Sequence, residues 1–339
     1  MKYTVQSPSN IAFIKYWGRS DHKLFIPRNN SISMNISGCM TVTTAETSAK
    51  YKEDEVYVKF YGQTEYAKLE RDSIKNNDLF DQIKRIRKFS GLKEMVKIYS
   101  ENNFPADAGI ASSASSFAAL TGVLLLVYGL KDKFEDKREY SKEVRLCGSA
   151  SAVRSVGDGF VELIAGKSHG DTFAVEIADH KHWDLIDIVA IVDPEKKKIS
   201  SSQGHELADT SPYFEARVKE MQGRIDIVRK AIIDKDIRKL GPEIERDSTS
   251  MHSVMMTSTP PAFYWAPGSI RIMKDVMEWR EKDDLQAYFT FDAGANAHII
   301  CEKKDAKEVE KRLKAIEYVK WTIYNEPAEG AKLIDNHLF

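Results

Sequence analysis

The chain has few cysteines, and nothing pairs them. Cys39, Cys147 and Cys301 lie far apart and form no CxxC motif. An odd number also fits poorly with a secreted disulfide framework, so a reducing, cytosolic compartment is expected. Charge bias is missing too: 50 Lys+Arg stand against 51 Asp+Glu, a formal charge of −1. Without a net positive field to gather phosphates, bulk binding to nucleic acid or a membrane surface is not expected. The longest apolar run, Phe117 to Leu130, is broken by Thr121 and Gly122 and falls short of the ~20 residues a bilayer span needs. The opening Met1-Lys2-Tyr3-Thr4-Val5-Gln6 lacks the apolar stretch of a signal peptide. The eight histidines form no HxxxH or HExxH pattern, so no protein-held metal site is expected, and His252 and His298 read as packed or surface residues.

What is present describes an ordinary globular protein, 42% hydrophobic and 30% charged over 339 residues. That length suggests about two domains. Val56, Val58 and Phe60 alternate along residues 55–60, which predicts a half-buried strand; residues 96–99 and 171–177 read similarly. Ile186 to Val192 is nearly continuous aliphatic sequence stopped by Asp193-Pro194, as in a central strand. Phe214, Val218, Met221, Ile225, Val228 and Ile232 recur at steps of four and three, placing one apolar stripe on a long helix. Gly268 to Trp279 and Asp305 to Ile316 read as helices, and Ala297 to Cys301 as a strand. Strands and helices mix without regular βαβ alternation, so α+β layers are expected. The junction falls in the turn-rich stretch Asp193 to Pro212 or in the strand before it, which gives domains of 1–185 and 186–339.

Four segments could carry chemistry. In the first, Asn103-Phe-Pro-Ala-Asp-Ala-Gly-Ile-Ala-Ser-Ser-Ala-Ser-Ser116, small residues and Gly109 precede an apolar helix over Phe117 to Leu126. Backbone N–H groups and the helix N-terminus could hold an anion there, with Ser112 and Ser113 nearby. A Ser-capped, tightly packed helix would explain the loop equally well. The loop also lacks the Gly-Lys-Ser/Thr of a Walker motif. Next, Gly148-Ser-Ala-Ser-Ala-Val-Arg-Ser155 places the hydroxyls of Ser149 and Ser151 before Arg154, a set able to grip a phosphate or carboxylate, or simply a polar turn. In Ser9-Asn-Ile-Ala-Phe-Ile-Lys-Tyr-Trp-Gly-Arg19, Lys15 by itself reads as a surface lysine. Last, Phe289-Thr-Phe-Asp-Ala-Gly-Ala-Asn-Ala297 ends an aromatic strand on Asp292, followed by small residues that a substrate could approach.

Taken in order, these segments resemble the diphosphomevalonate decarboxylase family, within the superfamily that also holds galactokinase, homoserine kinase, mevalonate kinase and phosphomevalonate kinase. The matching stretches also include Ile26-Pro-Arg-Asn-Asn-Ser-Ile-Ser33 and Ser200-Ser-Ser-Gln-Gly204, so the likeness runs from residue 10 to about 297. Lys15-Tyr-Trp-Gly18 and Phe291-Asp-Ala-Gly294 mark the decarboxylase branch. The resemblance implies an N-terminal ribosomal-S5-like domain, a C-terminal ferredoxin-like domain, a cleft between them and a homodimer. It makes Asp292 the active-site aspartate beside the substrate C3 oxygen, Lys15 its cationic neighbour and Arg154 the holder of the mevalonate carboxylate. Asn10 would orient Arg154, and Ser149, Ser151, Ser155, Tyr16 and Arg19 would bind substrate, chiefly the C5 phosphate. Gly109, Ser112 and Ser113 would lie where the family binds ATP phosphates.

Two departures bear on the cofactor. Asp107 and Asp158 stand where the family carries small uncharged residues. A carboxylate about 4 Å from a phosphate costs roughly 4 kcal/mol at an effective dielectric near 20. The sequence therefore favours the branch that needs neither ATP nor metal and converts mevalonate 3,5-bisphosphate to isopentenyl phosphate. ATP-dependent decarboxylation of diphosphomevalonate, with Mg²⁺, is the alternative. An inactive homologue serving as a binding subunit would be expected to have lost Lys15, Asp292 or Arg154.

Overall fold

The computed structural model describes residues 1–71, 73, 76–105, 110–193 and 199–339. The first half of the chain forms β1 (Lys2–Ile14), β2 (Arg19–Asp21), β3 (Ile26–Pro27), β4 (Ser31–Ser48), β5 (Glu55–Lys59), β6 (Ala67–Lys68), α1 (Asn77–Ser90), β7 (Met95–Asn102), α2 (Ser112–Val127), α3 (Lys131–Glu135), α4 (Lys137–Arg145), β8 (Phe160–Leu163) and β9 (Ala174–Ala178). The second half forms β10 (Leu185–Ile191), α5 (Ser201–Leu207), α6 (Phe214–Asp234), α7 (Ile237–Met256), α8 (Pro267–Asp283), β11 (Ala287–Thr290), β12 (Ala297–Glu302), α9 (Lys303–Lys314), β13 (Trp321–Asn325) and β14 (Lys332–Ile334).

An eight-stranded sheet runs β14-β1-β4-β7-β5-β6, with β8 and β9 branching from β4. Its pairings are antiparallel except β5 with β7. A four-stranded antiparallel sheet runs β11-β12-β10-β13. This is the mixed α+β, two-layered arrangement expected from the sequence. The periodicity of α6 and the aliphatic run of β10, buried at every position, place those elements within a residue or two. The strand expected at 171–177 begins only at Ala174, because Asp171 instead accepts from Lys167 and Ser168 N–H and closes a turn.

The helix α2 is buried on nearly every side, from Ala114 to Val127. It packs against the first sheet in a core with Val5, Ala45, Ile98 and Tyr140, where burial of each large aliphatic side chain contributes about 1.5–3 kcal/mol. A second core joins the halves: Ile11, Phe13 and Met34 of the first sheet meet Val189 and Ile191 of the second, with Ile225, Val228 and Ile244 from α6 and α7. The ends of β1 and β11 are thereby fixed relative to each other, and the candidate site lies where they meet.

Candidate active site

Lys15 is the first residue past β1. It is 3% exposed, and its ammonium donates to Asp292 Oδ1 at 2.7 Å. Asp292 lies two residues past β11, in a tight turn closed by Gly294 N–H donating to its carbonyl. The surface lysine suggested by Lys15 alone is therefore a buried ion-pair partner. Arg154 projects from a short 3₁₀ turn, Ala150–Ser155. Its guanidinium donates to Ser31 Oγ at 2.5 Å and Asn10 Oδ1 at 3.3 Å, while its Nε has no partner among the described residues. Asn10 Nδ2 in turn donates to Ser155 Oγ and the Ser151 carbonyl. Asn10 and Ser155 thus orient the arginine from behind rather than lining the cavity, a correction for Ser155 as a direct substrate contact.

Lys15, Tyr16, Arg19, Ser112, Ser113, Ser149, Ser151, Arg154 and Asp292 all line one cavity of about 300 Å³. Burial pushes the Asp292 carboxyl up. The charges of Lys15, His298 and Arg154 and the Lys15 hydrogen bond outweigh it and hold the group below the usual carboxylate value, so it is ionised at neutral pH. Burial lowers Arg154 to about 10, against the charges of Asp292 and Tyr16, and it remains a cation at neutral pH. At one end of the cavity Arg19 Nε donates to Tyr16 Oη at 2.8 Å, and the Ser149 and Ser151 hydroxyls meet at 2.7 Å. Burial raises the Tyr16 hydroxyl, with Arg19 opposing.

On another wall the N-terminus of α2 presents Ser112 and Ser113 with Ile110 and Ala111. No acidic residue lies in its first turn, so its partial positive charge suits an anion. Gly109 and Asp107 lie outside the described residues. Asp158 does not line the cavity; its carboxylate meets His180 Nδ1 at 2.8 Å, so the argument that it repels a nucleotide does not hold. Among the described residues, no three His, Cys, Asp or Glu come together as a metal site.

Sequence reasoning missed Asp78 and His205, which also line the cavity. His205 packs tilted against Tyr16 and Trp17, with ring centroids 4.2 and 4.5 Å away. Its Nδ1 accepts from Gly18 N–H, which puts the proton of the neutral ring on Nε2. No local spacing announces either residue; the fold alone brings them in. His298 pairs with Asp187 in the second sheet, and His252 stacks on Trp265 at 4.4 Å, so both are packed residues.

Two family descriptions match the chain: "Diphosphomevalonate decarboxylase-like N-terminal domain" over residues 7–174 and "Mevalonate 5-diphosphate decarboxylase C-terminal domain" over 187–331. Diphosphomevalonate decarboxylase of Candida albicans is 37% identical over 319 residues, covering 90% of this chain and 86% of the relative. The crystal structure of mevalonate diphosphate decarboxylase from Staphylococcus aureus superposes with a TM-score of 0.89 at 30% identity, covering 98% of each chain. A protein abbreviated MDDEF, solved with MVAPP, AMPPCP and magnesium, superposes with a TM-score of 0.88 at 27% identity, covering 99% of each chain.

Proposed function

Since the chain belongs to the diphosphomevalonate decarboxylase family, we propose that it is the ATP-dependent enzyme that turns mevalonate 5-diphosphate into isopentenyl diphosphate, a carbon–carbon lyase of isoprenoid synthesis. The observation that carries this reading is the Asp292 carboxylate oxygen 2.7 Å from the Lys15 ammonium, in the same cavity as Arg154 and the first residues of α2. We also propose a division into domains 1–185 and 186–339, corrected at its end: β14 pairs with β1, so the C-terminal strand returns to the first sheet.

The chemistry asks for this set. The C3 hydroxyl oxygen takes the terminal phosphoryl group of ATP, with ADP leaving, and its proton passes by way of Asp292 to solvent, so that the carboxylate is again an anion before the C3–O bond breaks. The C3–O bond then breaks and phosphate leaves with the electron pair. The C1–C2 bond breaks to release CO₂, and its electrons form the C2=C3 double bond. Positive character builds at C3 as phosphate departs, so an anionic Asp292 stabilises the transition state more than the ground state. A depressed carboxyl makes a weak base but a dependable anion, so its main work is electrostatic. Lys15 offsets the negative charge gathering on the departing phosphate, Arg154 holds the substrate carboxylate, and Tyr16, Arg19, Ser149 and Ser151 take the C5 phosphates. Ser112 and Ser113 with the α2 N-terminus fit the nucleotide phosphates. Magnesium, which commonly binds through one or two carboxylates plus substrate phosphates, would come with the nucleotide.

The nucleotide-free reaction on mevalonate 3,5-bisphosphate rested on Asp107 and Asp158. Asp158 is engaged by His180 outside the cavity, the Candida albicans relative is named for decarboxylation of diphosphomevalonate, and the similar MDDEF structure holds AMPPCP and magnesium, so the ATP-dependent course is the better supported. The test incubates purified protein with mevalonate 5-diphosphate, with and without MgATP, and separately with the bisphosphate alone. Equimolar CO₂, ADP and phosphate only when ATP is present is the expected result. Conversion of the bisphosphate without nucleotide, with diphosphomevalonate and ATP inert, would overturn it.

A further inference from the structure

The two charged partners of the cavity come from the ends of strands in different sheets, where ladder hydrogen bonds run out. Lys15 follows the last residue of β1, and Phe291 follows the last residue of β11. Both backbone amides are taken up by one turn of α7. Lys15 N–H donates to Asp247 Oδ2 at 2.7 Å. Phe291 N–H donates to Ser248 Oγ at 2.9 Å, and that hydroxyl lies 3.3 Å from the Phe291 carbonyl, to which it donates. Asp247 and Ser248 are adjacent in sequence, and both are fully buried.

Asp247 is itself locked. Arg217 Nη2 donates to its Oδ1 at 2.8 Å, and Arg217 Nη1 donates to its carbonyl at 3.0 Å. Its charge is therefore matched by Arg217, which leaves the Lys15 ammonium to Asp292. Asn29 Nδ2 adds a hold on the Lys15 carbonyl at 3.2 Å.

We propose that Asp247 and Ser248 are positioning residues: neighbours on one helical turn that grip the backbones beside Lys15 and Asp292 and set the spacing of the catalytic pair. The inference rests on the functional reading above and extends it. Adjacent Cα atoms are held about 3.8 Å apart by a planar peptide, so the two grips cannot drift relative to each other. Their value lies in what the reaction demands. The Lys15–Asp292 contact leaves no room for a substrate oxygen between the charges, so the side chains must part when substrate enters. The salt bridge then no longer holds the two segments, whereas the α7 grips still do. A misplacement of about 1 Å can cost two orders of magnitude in rate.

The test is Ser248→Ala, which removes the acceptor for Phe291 N–H, with Ser248→Cys as a space-filling companion that accepts hydrogen bonds only weakly. With whichever phosphorylated mevalonate the wild type turns over, kcat should fall about tenfold or more in both variants, while KM stays near the wild-type value. In an Asp292→Asn background the same changes should cost little further, because they act through Asp292. Wild-type kcat in a folded Ser248→Ala or Ser248→Cys protein overturns the proposal, as does an equal loss with and without the Asp292 carboxylate. Failure of the wild type to release CO₂ under any condition would instead reject the activity on which the inference rests.

Discussion

Replacing Lys15 with Met keeps the length of the side chain and removes its charge. Two unit charges 2.7 Å apart attract by about 6 kcal/mol at an effective dielectric near 20. Burial opposes the charge on Asp292, and in the variant only His298 and Arg154 remain to offset it. The carboxyl therefore rises from its depressed position. In the wild type the carboxylate is present throughout the mildly acidic range and is lost only as pH falls through a value below the usual one; in Lys15→Met that loss begins nearer neutrality. The acid limb of kcat/KM should move upward. Turnover at neutral pH should also drop about 10²–10³-fold, as when an electrostatic group facing a developing charge is removed. CO₂ release measured across a pH series gives both quantities. An unmoved acid limb with turnover within a factor of a few would refute the electrostatic coupling of the pair.

His252 stays neutral in the fold because burial, then the Lys15 charge, lowers it from 6.5 to about 3. The unfolded chain binds that proton first, so this group erodes stability by up to about 1.4 kcal/mol per pH unit on acidification below about 6.5. His252→Phe should flatten the acid side of the stability profile in urea titrations; identical slopes would count against the assignment. Gly18 has φ of +78°, and a Cβ there would meet Phe214 Cζ at 2.1 Å. Gly18→Ala should therefore destabilise by about 1–3 kcal/mol and disturb Arg19 next to it; an unchanged melting temperature would contradict that packing.

The sequence announced those elements whose burial follows a simple period. The four-and-three spacing of α6 and the aliphatic run of β10 are of this kind. It was silent where polar residues are buried. Residues 7–10 of β1, Ser-Pro-Ser-Asn, show no apolar alternation, yet all four are buried and a bulge falls between Pro8 and Ser9. In the same way α7 hides behind Gly241, Pro242 and a row of polar residues, although Asp247, Ser248 and His252 on it are buried. The site was legible only in its ordered motifs. Lys15 in isolation looked like any surface lysine, because its partner lies 277 positions away. His205 and Asp78 enter the cavity through tertiary packing that no local pattern encodes. Asp158, read as a wall against ATP, is turned to His180 by the β8–β9 region.

The central claim is that an ionised carboxylate at position 292 stabilises the transition state electrostatically. Asp292→Asn preserves shape and removes only the charge, so single-turnover CO₂ release should be measured beside substrate affinity for this variant and the wild type. The account requires affinity close to wild type with turnover reduced at least ~10²-fold. Turnover near the wild-type rate in a folded Asp292→Asn protein would contradict it.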